Sequence, residues 1–213
     1  MLKPGGLGLS TSVPWVIKFG GSLAHDARFR SWLDVLGTSG AVIVPGGGVF
    51  ADAVRTLQGL AGFGDPLAHR LAIQGMRLYG EVLLELAPSF RPASQLEDVS
   101  EQLKNNMTSL WLPDAHLEFL QTLEASWAVT SDSIALALAK ALEIPRVLFV
   151  KSVDSWPKSE SLARAIRLGT LDPALPDILE GSEIQLFCVG PRSPEALEKG
   201  LEDPRSWFTE LLP

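Results

Sequence analysis

Cysteine is almost absent from this chain. Cys188 is the only one, which excludes an intramolecular disulfide and a cysteine-rich zinc site. It lies in the apolar run IQLFCVG, where a packed strand thiol is the expected role. No run of about 18 apolar residues occurs, so no membrane-spanning helix is expected. The opening MLKPGGLGLSTSVP carries one lysine and lacks an apolar stretch long enough for a signal sequence. The expected location is therefore the cytoplasm. Positive charge is in deficit too: 18 Lys and Arg stand against 25 Asp and Glu, a net charge of −7. That balance argues against nucleic acid or an anionic membrane as the main partner, while leaving room for a local basic pocket. The three histidines, His25, His69 and His116, are scattered without metal-ligand spacing, so no protein-held metal is expected.

What is present reads as one α/β domain of ordinary size, residues 15–213, behind a flexible tail of residues 1–14 rich in glycine and proline. Short apolar, β-branched runs (PWVIKF, AVIVP, RVLFV and IQLFCV) have the character of buried strands. Helical spacing connects them. Phe50, Val54 and Leu57 define one helix. Residues 66–86 define a longer one, with Leu67, Leu71, Met76, Leu78 and Leu83 expected on its buried side. Residues 131–142 define a third, along Ile134, Leu138 and Leu142. Strands alternating with helices predict a three-layer αβα sandwich with a mostly parallel central sheet. Residues 89–123 carry no legible pattern.

Three motifs hold the chemistry. The first is Lys18-Phe19-Gly20-Gly21-Ser22, at the end of the first strand: paired glycines bring backbone N–H groups close to an anion, and a lysine stands beside them. Alone, it also reads as a simple glycine turn. The second is Val44-Pro45-Gly46-Gly47-Gly48, leading straight into a helix whose positive end faces back toward the glycines. Neither has P-loop or GxGxxG spacing, and two nests on neighbouring strand ends suit a bridging polyphosphate. The third is Thr130-Ser131-Asp132-Ser133, which as a sequence is a helix start, with Thr130 or Ser131 as N-cap and Asp132 complementing the dipole. Trp127, just before it, reads as a packing residue. His69-Arg70 could touch an acidic substrate or simply face solvent.

In this order, the motifs resemble the amino acid kinase superfamily, which includes acetylglutamate, carbamate, aspartate and bacterial uridylate kinases. The likeness runs from about residue 16 to 194. Within the superfamily, VIKFGGSL, VIVPGGGVFADAVR, LAHRLAIQGM, SWAVTSDSIALALAKAL and VGPRSPE are similar to the kinases of methanofuran biosynthesis. The resemblance implies transfer of a phosphoryl group from ATP to a small phosphate-bearing acceptor, an aminomethylfuran-methyl phosphate, with Mg2+ travelling with the nucleotide. It implies that Lys18 meets the transferring group and that Asp132 positions Lys18. Gly20, Gly21 and Ser22 would cradle the ATP phosphates, and Gly46, Gly47 and Gly48 would face the acceptor. Lys151, Ser152 and Asp154 would lie along the nucleotide. A homo-oligomer is expected by the same analogy. Two departures stand out. Glu180 and Glu183 occupy the region where many relatives carry a second lysine, and Asp154 is followed by Ser155 where relatives have glycine. Lys151, Lys158 or Arg192 would have to compensate. A kinase for a nucleotide monophosphate or small carboxylate, or a weakened nucleotide-binding or storage subunit, are the other readings.

Overall fold

The structure is a computed structural model that describes residues 13–154 and 156–212. Of the expected tail, only Val13 and Pro14 are among them; both are exposed and without regular structure. Ser155 also lies outside the described residues.

The chain order is β1 (Val16–Phe19), α1 (Phe29–Gly37), β2 (Val42–Pro45), α2 (Gly48–Ala61), α3 (Asp65–Leu86), β3 (Arg91–Ala93), α4 (Leu96–Lys104), β4 (Ser109–Trp111), α5 (Glu118–Gln121) and α6 (Ser131–Ala141). It continues with β5 (Arg146–Val150), β6 (Ser159–Ser161), α7 (Leu162–Arg167), α8 (Leu175–Leu179), β7 (Gln185–Val189), α9 (Leu197–Glu202), α10 (Pro204–Trp207) and β8 (Thr209–Leu212). All eight strands join one sheet in the order β3-β4-β2-β1-β5-β7-β8-β6. Every pairing is parallel except β7 with β8. The expected three-layer, mostly parallel fold is what forms. The four apolar runs became β1, β2, β5 and β7, the central strands buried on both faces.

Alternation along the strands divides the core in two. Val16, Val42, Val44, Val147, Phe149 and Cys188 pack on one face with Ile134 and Leu138 of α6 and with Ile73 and Met76 of α3. Ile17, Phe19, Ile43, Leu148 and Phe187 point the other way, onto Trp32, Leu33 and Leu36 of α1. Lys18 has the parity of Val16, in register with Val44 and Phe149, and therefore projects into the layer beneath α6. Cys188 is fully buried, and burial pushes its thiol well above the usual range, as suits a packing residue.

Helix boundaries agree with the spacing: Gly62 closes α2 in the left-handed conformation (φ 73°), and Pro66 sits in the first turn of α3. One burial expectation is corrected. Leu78 is 47% exposed, and Ile73 and Tyr79 take the inward positions. The stripe was drawn through leucines, but the face of α3 turned to the sheet carries smaller and aromatic residues as well.

β1 is flanked by β2 on one side and β5 on the other, so the chain changes direction across the sheet there. The carboxyl ends of these three strands carry Gly20-Gly21, Gly46-Gly47-Gly48 and Lys151 respectively, which places a crevice at the topological switch point.

Candidate active site

The two glycine loops are not separate nests. The Gly46 N–H donates to the Phe19 carbonyl (2.8 Å), tying the end of β2 to the end of β1. A Cβ on Gly21 would collide with the Gly48 backbone, and one on Gly46 would meet the Gly21 nitrogen. Backbone lies on backbone, and no side chain fits between. Gly48 also opens α2 at φ 50°, a conformation that a larger residue would adopt only under strain. Gly47, in contrast, has ordinary right-handed angles (φ −77°, ψ −22°). A side chain there is opposed by the Ala51 methyl, not by its backbone conformation.

Beside these loops lies a buried ionic trio. Lys18 Nζ is 2.9 Å from Asp132 Oδ1, and Lys151 Nζ donates to Asp132 Oδ2 at 2.7 Å. The Lys18 and Asp132 side chains are only 9% and 3% exposed, and the Lys151 side chain 15%. Burial lowers the pKa of the Lys18 ammonium, with Asp132 opposing and Lys151 adding to the shift. Burial alone would raise the Asp132 carboxyl, but Lys18 and Lys151 together hold it below its ordinary range. With two ammoniums on one carboxylate, the trio carries one net positive charge into the crevice. Of the three cations considered as compensating charge, Lys151 is the one that joins this trio. Arg192 does not: it pairs with Asp154 at 2.7 Å on exposed surface. Lys158 and Ser152 are exposed as well.

The third motif holds Asp132 in place by a device the sequence did not reveal. Thr130 stands at the N-cap of α6 in extended conformation, but its side chain makes no capping bond. Asp172, from the loop before α8, does the work instead. Its Oδ2 accepts from the Thr130 N–H (2.7 Å), the Ser133 N–H (3.0 Å) and the Ser133 hydroxyl (2.8 Å), while its Oδ1 accepts from the Thr130 hydroxyl (2.8 Å). The expectation that Thr130 or Ser131 caps the helix by itself is corrected. A carboxylate remote in sequence satisfies the orphan donors and complements the helix dipole more strongly than a hydroxyl would. Asp172 sits in LGTLDPALP, where Asp-Pro reads as an ordinary turn, so nothing local marked it.

The glycine loops, Lys18, Ser22, Thr130 and Ser131 line a cavity of about 390 Å3. Its other walls are Asp52 and Arg55 of α2, His69, Ile73 and Met76 of α3, Trp127 and the exposed His25. Ser152 and Asp154 are not among its lining residues. Trp127 is a wall rather than core packing: its indole N–H donates to Gln58 (2.6 Å), whose amide donates to Asp65 (2.7 Å), and the Arg55 guanidinium lies 4.3 Å over its ring. His69 lines the cavity and Arg70 does not. Asp52 and Arg55 lie three apart on one helix face, one and two turns past Gly48. That stripe was readable in the sequence once α2 was recognised.

Glu180 is far from all this. It follows α8 as an exposed residue, and its backbone carbonyl accepts from Lys140 in the last turn of α6 (3.1 Å). The site is at the opposite end of that helix, about 15 Å away at 1.5 Å per residue. Glu183 is exposed too.

A buried lysine–carboxylate pair beside touching glycine loops at strand ends suits phosphoryl transfer, the chemistry of a small-molecule kinase. No family profile matches the chain. Comparison with characterised proteins finds the [5-(aminomethyl)furan-3-yl]methyl phosphate kinase of Methanocaldococcus jannaschii, 30% identical over an alignment of 211 residues that covers 92% of this chain and 97% of that protein. Among solved structures, uridylate kinase from Archaeoglobus fulgidus superposes with a TM-score of 0.70 at 17% identity, over 93% of this chain and 99% of its own. Aspartate kinase from Synechocystis matches with a TM-score of 0.63 at 16% identity, over 93% of this chain and 39% of the longer neighbour. The chain belongs to the amino acid kinase superfamily, in the family of the M. jannaschii phosphate kinase.

Proposed function

We propose that this chain transfers the γ-phosphoryl group of ATP to the phosphate of an aminomethylfuran-methyl phosphate, forming a diphosphate and ADP in methanofuran-type one-carbon cofactor biosynthesis. The observation that carries the reading is the Lys18–Asp132–Lys151 trio set against the joined glycine loops, in a chain 30% identical to a kinase named for that acceptor. An oxygen of the acceptor phosphate attacks the γ-phosphorus in line, and the bond to the β-phosphate oxygen breaks as ADP leaves. That nucleophile is already ionised near neutral pH, so no general base is required. Catalysis is then charge placement. Lys18 meets the transferring oxygens, and Asp132 orients it without taking a proton.

Gly20, Gly21 and Ser22 cradle the nucleotide phosphates, and Gly46, Gly47 and Gly48, at the positive end of α2, hold the acceptor phosphate. Lys151 supports the nucleotide side through Asp132, with Ser152 and Asp154 lying along the nucleotide in the loop that follows it. Mg2+ would travel with the nucleotide, since both oxygens of the carboxylate nearest Lys18, Asp132, are engaged by lysines. When bound, the ion would neutralise phosphate charge while held by phosphate oxygens and water. The remoteness of Glu180 from the site favours an active kinase over a weakened binding or storage subunit.

The proposal includes a homo-oligomer in the cytoplasm. Val49, Leu57 and Leu60 on α2 and Leu78 and Val82 on α3 are exposed apolar residues available to a second copy. No helix among the described residues is long and apolar enough to cross a membrane. The test of function is ATP turnover with aminomethylfuran-methyl phosphate, followed by ADP release and by phosphorus NMR of the diphosphate product. Turnover of UMP with none of the furan phosphate would replace this reading with a nucleotide monophosphate kinase.

A further inference from the structure

The cavity wall beyond the glycine loops has a chemistry that phosphate binding does not explain. Asp52 is the one carboxylate among the cavity-lining residues. It makes no side-chain hydrogen bond or ion pair among the described residues, so its charge is uncommitted. A free carboxylate near bound phosphates opposes them unless something positive comes between. His69 adds a second uncommitted acceptor. Its Nε2 is buried and has no hydrogen-bond partner, although the residue lines the cavity. Burial lowers the pKa of the imidazole, with a backbone contact to Ser126 opposing, which favours the neutral ring, one of whose two nitrogens is an acceptor. A buried acceptor without a donor costs free energy until a ligand supplies one. Farther along α2 than Asp52, Arg55 and Gln58 hold Trp127, a flat apolar surface beneath the Arg55 guanidinium and locked through Gln58 to Asp65.

We propose that Asp52 and His69 form the ammonium end of the acceptor site. The cavity then selects a dipolar acceptor, with phosphate at the glycine loops, a flat ring along Trp127 and a protonated primary amine donating to the Asp52 carboxylate and the His69 Nε2. A nucleotide monophosphate has no ammonium to offer. This inference rests on the kinase reading above for its biological substrate, but not for its chemistry.

The test uses two pairs of acceptors. Turnover is compared for aminomethylfuran-methyl phosphate and the analogue with methyl in place of aminomethyl. Binding is compared by calorimetry for 3-(aminomethyl)benzyl phosphate and 3-methylbenzyl phosphate. One charge-assisted hydrogen bond is typically worth a factor of about 10 to 100 in affinity, which is the preference for the amine expected of the wild type in both pairs. In Asp52→Asn the preference is expected to fall below about threefold; the residue is exposed and its carboxylate holds no other group, so this variant folds. In His69→Phe an intermediate preference is expected. Turnover of the furan phosphate without an amine preference, or a preference that survives in Asp52→Asn, overturns the ammonium site while leaving the kinase reading intact. Amine-selective binding lost in Asp52→Asn, in a protein that does not turn over the furan phosphate, supports the ammonium site and overturns the substrate.

Discussion

Lys18 is expected to matter most while the γ-phosphoryl group is between its two oxygens. Lys18→Ala should lower kcat by about 100-fold or more, the usual consequence of losing one preorganised electrostatic partner. Folding should survive, because Asp132 keeps Lys151 as a counter-ion. Near-normal single-turnover rates would remove Lys18 from the mechanism. Asp132→Asn has a different signature, since it leaves two ammonium groups facing each other. The folded-state pKa of Asp132 is held down, so the stability it supplies is complete above the ordinary carboxylate range, near pH 4, and is lost as pH falls through the depressed folded value. Urea melts of wild type and Asp132→Asn should therefore differ most near pH 7 and converge in strongly acidic buffer. A gap that does not narrow would mean that the carboxylate is not stabilised by its lysines. Asp172 touches no reacting group and acts through α6. Asp172→Ala strips acceptors from buried donors at Thr130 and Ser133, an expected loss of roughly 2–4 kcal/mol. Because α6 then drifts, kcat should fall more than the affinity for ATP. Equal losses would mark Asp172 as merely structural.

At the scale of elements, the glycine loops behave as one piece. Gly47→Val should fail through the Ala51 methyl, and Ala51→Gly should partly rescue it, which a backbone-strain mechanism would not allow. Because the Gly21 and Gly48 backbones touch, the variant should lose affinity for ATP as well as for acceptor. Acceptor loss alone would restore the idea of two independent loops. The loops, Lys18 and Asp132 were legible in the sequence because each is a local pattern at a strand end or helix start. So were β1, β2, β5 and β7, whose burial on both faces makes them continuous apolar runs. The outer strands β3 and β4 on one side and β8 and β6 on the other were not. Arg91–Ala93 and Ser159–Ser161 are three residues long and carry Pro92 or exposed serine, as an edge position permits. Asp172 escaped for another reason: its partners are about forty residues earlier in the chain, and only the packing of α8 against α6 brings them together.

For the whole molecule, the sheet keeps the site at one end and the departure at Glu180 at the other. Glu180→Lys should accordingly leave kcat and the KM for ATP within about twofold of wild type, the outcome for a solvated surface charge. A rise of tenfold or more would mean that the α8 end reaches the nucleotide. The exposed apolar residues of α2 and α3 make a second expectation. Leu60, at 82% exposure, cannot be contributing to the fold, so Leu60→Glu should leave the melting temperature of a dilute sample unchanged while lowering the mass seen by light scattering. An unchanged mass would place the contact between copies elsewhere.

The Asp172 clamp also bears on the order in which a ribosome delivers the protein. Chain is made from the amino end at about 5–20 residues per second, and the residues of β1, both glycine loops and α6 are all synthesised before residue 172. Until then Ser133 and Thr130 have no carboxylate to bond, and α6 has a bare positive end. Lys18, both glycine loops and Asp132 are thus all synthesised before the carboxylate that clamps the head of α6. The head of α6 is therefore completed only when most of the chain has been made.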